Sequence, residues 1–213
     1  MIDDMEKVEK KTKDEIIAEI VHGYDWDADD LLSVVSFETQ INTEYSAIDV
    51  INRIKVLGKY RKLTEKKTLN VADYLDEYLL NYCFWEGDKV VDKSNSQLVK
   101  DKQKAELQCG IGEKIDVNSL SEEDLITIMA EYYKTSNVDF VKKVLTDSEE
   151  DPEYSAVGTC NCIKKYLRYL ELTTGEKSAP SAFLKSQGYT QEDIDLLEQK
   201  RAIESEYYEG EQL

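Results

Sequence analysis

Four aspartates fall within six positions in DWDADD, residues 25–30, close to His22, the one histidine of the chain. Carboxylates at alternate positions are what a calcium loop uses. An EF-hand needs oxygen ligands at positions 1, 3 and 5, glycine at 6 and a bidentate glutamate at 12. Counted from Asp25, the segment offers Asp25, Asp27 and Asp29, and Leu32 at the apolar eighth position. Asp30 stands where the turn glycine belongs and Ser36 where the glutamate belongs. The strongest ligand and the turn residue are both missing, so an EF-hand is not expected.

A single imidazole excludes HExxH and multi-histidine zinc sites. Cys160 and Cys162 are two apart in CNC. On a helix such neighbours point about 200° from each other and cannot grip one ion. No metal is expected, nor any cofactor. Nucleophilic catalysis through a Cys–His pair would have to use His22, and Cys109, between residues of QCGIGEK, is the thiol that glycines leave most open. GIGEK lacks the spacing and the Ser/Thr of a phosphate loop. With 45 acids in the chain, pairs of carboxylates say nothing about acid–base work. No catalytic residue is assigned.

The elements that must carry these residues read as helices. The chain has 213 residues, two prolines and nine glycines, so helix breakers are few. Ile163, Tyr166, Leu167 and Leu170 follow helical spacing, as do Ile48, Ile51, Ile54 and Leu57. Tyr74, Tyr78 and Tyr82 recur at every fourth position, with Leu75 and Leu79 beside them. SEEDLITIM, TQEDIDLLE and DADDLLSVV each begin with a capping side chain (Ser121, Thr190, Asp27) and carry an acid three residues on. Each reads as a helix start with acids in its first turn. DWDADD is thus read first as a helix cap, second as part of an acidic face.

CFWEGDKVV has the look of a short β-hairpin. The polar stretch after it, to about residue 117, reads as a connector. The expected class is mainly α, bundle-like: a helical half over 1–82, a hairpin and connector over 83–117, and a helical half with an acidic tail over 118–213. No internal repeat with a steady period is visible.

Charge is the strongest compositional bias, at −18. It opposes direct binding of duplex nucleic acid and favours encounter with basic proteins. Acids gather at 25–30 (Asp25, Asp27, Asp29, Asp30), at 147–153 (Asp147, Glu149, Glu150, Asp151, Glu153) and in the tail (Glu204, Glu206, Glu209), where Tyr207 and Tyr208 lie among them. Flat aromatic rings between fixed negative charges suit an interface. One segment is basic: Arg53, Lys55, Lys59, Arg61, Lys62, Lys66 and Lys67 face a single acid, Glu65. It is read as a solvated face, as the partner of an acidic cluster, within the molecule or across a dimer, or as a contact to nucleic acid held mainly by another protein.

No apolar run reaches the roughly 18 residues of a membrane span, and no signal peptide is apparent. A cytoplasmic location with four reduced cysteines is expected. The function expected from these features is a non-enzymatic acidic protein. It would occupy the basic, nucleic-acid-binding surface of a partner protein, as an inhibitor or nucleic-acid mimic of the immunity or phage anti-defence kind. An enzyme using Cys109 or His22 and a self-associating structural subunit are the alternatives.

Overall fold

A computed structural model describes residues 8, 10–37, 45–78, 84–86, 89–91, 94–146 and 155–210. It is mainly helical. The helices are Lys13–Phe37 (α1), Ala47–Thr64 (α2), Val71–Tyr78 (α3), Asn95–Gln108 (α4), Glu122–Thr146 (α5), Ala156–Thr174 (α6), Pro180–Ser186 (α7) and Gln191–Gly210 (α8), with a 3-10 turn at Val117–Ser119. Phe84–Glu86 (β1) and Lys89–Val91 (β2) pair antiparallel, Trp85 opposite Val90. Residues 87–88 lie outside the described residues, and three residues per strand make no layer, so a hairpin is not counted as part of the architecture.

Three expectations change. First, DWDADD starts no helix. It lies in the middle of α1, whose real start is a reciprocal box at Thr12 and Glu15. The Thr12 backbone N–H donates to Glu15 Oε2 at 2.8 Å, and the Glu15 N–H donates to Thr12 Oγ1 at 3.3 Å. Helix continues through the aspartates because a stripe runs beneath them. Ile16, Ile20, Tyr24, Ala28, Leu32 and Val35 are all buried. That spacing holds one face of a helix inside the protein, and burial outweighs the weak helix propensity of Asp, which costs well under about 1 kcal/mol per residue. The other two expected starts do cap helices. Ser121 and Asp124 exchange bonds of 2.9 and 3.1 Å at α5, and Thr190 and Asp193 bonds of 2.8 and 3.2 Å at α8.

Second, the expected connector contains α4. Its inward positions are Ser96, Val99, Lys102 and Glu106. The spacing is helical, but three of the four residues are polar, so a hydropathy pattern does not reveal it.

Third, the chain does repeat. Residue n matches residue n + 109 without a gap from Val8/Val117 to Leu75/Leu184. α1 and α5 each have 25 residues, Lys13 matching Glu122 and Phe37 matching Thr146. The caps Thr12–Glu15 and Ser121–Asp124 coincide. The buried stripe of α1 recurs in α5 as Leu125, Met129, Tyr133, Asn137, Val141 and Val144. In the next helix Ser46, Ala47, Asn52, Ile54 and Lys55 match Ser155, Ala156, Asn161, Ile163 and Lys164. After α3 the first copy carries extra residues before its last helix. Then Val99, Lys102 and Glu106 match Leu197, Lys200 and Glu204. Few identities survive, because burial and cap chemistry are retained while surface residues vary.

The protein divides into two compact units, Val21–Met129, and Met1–Ile20 with Ala130–Leu213. The boundaries fall inside α1 and α5, at matching positions of the repeat, not at 83–117. A helix that continues through a boundary leaves no mark in composition.

In the 21–129 unit, α2 packs on α3 and α4. Leu32, Val35, Ala47, Val50, Ile51, Ile54, Leu75 and Val99 form its core. Asn52 ties down the chain after α4, donating from Nδ2 to the Glu113 carbonyl at 2.8 Å. Gly112, in GIGEK, has φ +72°, and a Cβ there would meet Ile48 at 3.1 Å. That glycine answers to packing, not to a phosphate. In the other unit α6 packs on α7 and α8, with Tyr166 and Phe183 rings 5.8 Å apart.

α2 ends with Lys66 in the left-handed region at φ 57°. The matching residue after α6 is Gly175, φ 76°. A side chain there costs about 1 kcal/mol that glycine avoids. Lys66→Gly is expected to raise the unfolding free energy by about 0.5 kcal/mol, as read by urea titration.

Candidate functional site

Two of the DWDADD aspartates, Asp25 and Asp29, are committed inside the 21–129 unit. Asp25 and Asp29 are one helical turn apart on the same side of α1. Arg61, from α2, pairs with Asp25 through Nη2. The Tyr74 hydroxyl, from α3, lies 2.8 Å from Asp25 Oδ1 and also meets Asp29 Oδ1. A phenol has one proton to donate. Burial, first, and then the two carboxylates push the Tyr74 phenol far above its ordinary range, so the proton stays on oxygen. The network joins three helices; its second-copy counterparts, Lys134, Val138, Leu170 and Phe183, cannot form it. Asp27 is half-buried, and the side chain of Asp30 lies outside the described residues. Among the described residues no three His, Cys, Asp or Glu side chains are placed to hold a metal ion.

Two other acids hold helix ends. Glu106 is fully buried and receives the backbone N–H groups of Ala47 and Ile48, both at 2.9 Å, and the Ser46 hydroxyl at 3.1 Å. Glu204 does the same for α6. Ala156 and Val157 N–H donate at 2.7 and 2.8 Å, and the Ser155 hydroxyl at 2.9 Å. Each carboxylate satisfies orphan donors at the positive end of a helix. Glu204 was expected on a partner-binding surface; it is a structural cap. The signal that could have found both is the pair of Ser-Ala-Ile/Val starts with a distant Lys-x-x-x-Glu.

Glu206, by contrast, is exposed, and it ends a continuous outer face of α8. Glu192, Asp195, Leu196, Gln199, Ile203 and Glu206 are all exposed. Their spacings of 3, 4, 7, 11 and 14 place them within one stripe. Leu196 and Ile203 are 37 % and 43 % exposed, two turns apart with carboxylates around them. Tyr207, Tyr208 and Glu209 follow, but their side chains lie outside the described residues, as do Asp147, Glu149, Glu150, Asp151 and Glu153.

The basic segment separates into three roles. Arg53 is buried. Arg61 serves Asp25, Lys67 pairs with Glu65 at 3.0 Å, and Lys59 donates to the carbonyls of Val117 (2.7 Å), Asn118 (3.1 Å) and Leu120. Lys55, Lys59, Lys62 and Lys66 line a groove of about 620 Å³.

Cys109 is exposed at the C-terminal cap of α4, and Cys160 is buried, its thiol pushed up to about 11 by desolvation first and the Glu198 charge next. Thiolate is the reactive species. A thiol-selective disulfide reagent at pH 8 is therefore expected to label Cys109 at least about tenfold faster than Cys160, with mass spectrometry of peptides as the readout. His22 and Trp26 are both exposed and stand edge to face, 5.9 Å apart.

No protein-family model matches the chain, and no curated protein or solved structure shows significant similarity to it. Among the described residues no helix is long and apolar enough to cross a membrane.

Proposed function

We propose that the protein is a non-enzymatic acidic binding protein that occupies a basic surface of a partner protein. The observation that carries the reading is the outer face of α8. Its carboxylates, Glu192, Asp195 and Glu206, surround two exposed apolar side chains. Acids set orientation and encounter rate, while apolar anchors supply most of the affinity. The complementary surface is a basic one with apolar pockets. Basic clefts of this kind belong to proteins that handle nucleic acid, and an acidic helix can block such a cleft, which makes inhibitor or nucleic-acid mimic the specific form of the reading. At low ionic strength the net charge of −18 extends the attraction beyond the contact face.

The test is capture from lysate by the immobilised protein, wild type against the variant Glu192→Lys/Asp195→Lys/Glu206→Lys. A basic protein should be retained at low salt and released at high salt. The variant should retain at least about tenfold less of it, since reversed charge at an interface costs several kcal/mol. Equal retention by the two proteins would refute this surface.

A further inference from the structure

We propose that the groove of the 21–129 unit binds a small phosphorylated organic molecule, a phosphomonoester with an apolar body. The proposal does not depend on the acidic surface of α8.

The duplicated fold supplies the comparison. The other unit has a groove of about 230 Å³, and each residue lining it corresponds, at n − 109 or, for Val8, at n + 109, to a residue lining the larger one. Val8 matches Val117, Lys164 matches Lys55, Arg168 matches Lys59 and Pro180 matches Val71. The smaller groove sets one carboxylate, Glu171, against three cations, Lys164, Arg168 and Lys177. Glu171 pairs with two of them: Arg168 Nη1 donates to Glu171 Oε2 at 2.8 Å, and Lys177 Nζ lies 3.9 Å from Glu171 Oε1.

In the 21–129 unit the residue matching Glu171 is Lys62. The internal counter-anion is replaced by another cation. Lys59 is held by the three carbonyls described above and Lys66 Nζ donates to the Leu63 carbonyl at 3.0 Å, but among the described residues no carboxylate pairs with Lys55, Lys62 or Lys66. Asp116 is the one acid in the lining against four lysines. In a chain with 45 acids and 27 bases, these lysines are left together in a concave site without the carboxylate contact that two of the three cations of the sister groove have. An external anion supplies that counter-charge.

The chemistry narrows that anion. A phosphomonoester carries nearly two negative charges and three acceptor oxygens, so one group can meet several ammonium point charges at once, whereas a carboxylate carries one charge and two oxygens. Leu63, Leu69, Val71 and Ile115 line the same groove and offer apolar contact. Its volume lies within the roughly 300–1,000 Å³ of small-molecule sites. The overall negative charge does not prevent binding, because at physiological salt charges beyond a Debye length of about 8 Å are screened.

The experiment is calorimetric titration of the full chain with phenyl phosphate and, separately, with inorganic phosphate. Phenyl phosphate should saturate one site at low millimolar concentration or below and bind at least about fivefold more tightly than inorganic phosphate, the difference reporting the apolar contacts. Lys62→Glu restores the arrangement of the sister groove and sits at an exposed position, so it should fold normally by circular dichroism. It should weaken phenyl phosphate by at least about tenfold, while Lys177→Glu in the smaller groove should leave binding unchanged. No saturation up to about 10 mM, a regime weaker than about −3 kcal/mol, would overturn the proposal. So would equal binding by wild type and Lys62→Glu, or loss of binding in Lys177→Glu alone. Equal affinity for the two probes would overturn the apolar part and leave a phosphate site.

Discussion

Glu106→Ala is expected to lower the unfolding free energy by about 4 kcal/mol. The carboxylate has no exposed surface and receives three donors at the start of α2. A hydrogen bond to a charged group contributes roughly 1.5–3 kcal/mol, and a buried donor left without a partner costs roughly 1–3 kcal/mol. Truncation to alanine removes all three bonds and leaves the Ala47 and Ile48 N–H groups inside the protein with nothing to meet. The sum is reduced because the variant no longer buries a carboxylate. Glu106→Gln keeps one acceptor oxygen and should lose about half as much. The matching change Glu204→Ala should cost less, about 2 kcal/mol, because Glu204 is only partly buried and water can take over its donors. Urea unfolding at 25 °C reads all three. A loss below about 1 kcal/mol for Glu106→Ala, the size of an ordinary exposed cap, would contradict the role assigned to the carboxylate.

Ile54→Ala is expected to cost about 3 kcal/mol. Ile54 has no exposed surface and belongs to the cluster that joins α1, α2, α3 and α4. Removal of buried methylene groups loses their transfer free energy and leaves a cavity, which together run to about 2–5 kcal/mol for this change. Ile54→Val, one methyl smaller, should cost about 1 kcal/mol. The matching Ile163, 1 % exposed in the other unit, should behave alike, so Ile163→Ala and Ile54→Ala should fall within about 1 kcal/mol of each other. A clear mismatch would mean that the repeat retains helix positions without retaining packing.

Helix content was legible in the sequence. Few prolines, periodic apolar faces over Ile48–Leu57 and Ile163–Leu170, and the caps at Ser121 and Thr190 are local signals. Local signals suffice because a helix makes its hydrogen bonds within a few residues. The cap reading failed at Asp27 for the opposite reason. An Asp-rich stretch is locally the start of a helix, and only the buried stripe from Ile16 to Val35 keeps it inside one. α4 carries no hydropathy signal because its buried face is partly polar, with Lys102 and Glu106 turned inward.

The candidate sites were less legible, since charge partners are chosen in space. In sequence Glu204 and Glu206 are equivalent tail acids; folding makes one a cap beneath α6 and leaves the other on an open face. The lysines from Lys55 to Lys66 read as one patch, yet Lys59 is engaged by carbonyls about sixty positions away and Lys62 lines a groove. The repeat is written in the sequence, but as positions and not as identities. By itself the sequence determined that the chain is mainly helical and acidic, because propensity, periodicity and composition act over a few residues or over the total. The tertiary structure alone decided which acids are consumed as caps and counter-ions and which cations are left without a carboxylate, because Coulomb attraction and hydrogen bonding depend on distances of a few ångströms that the fold sets.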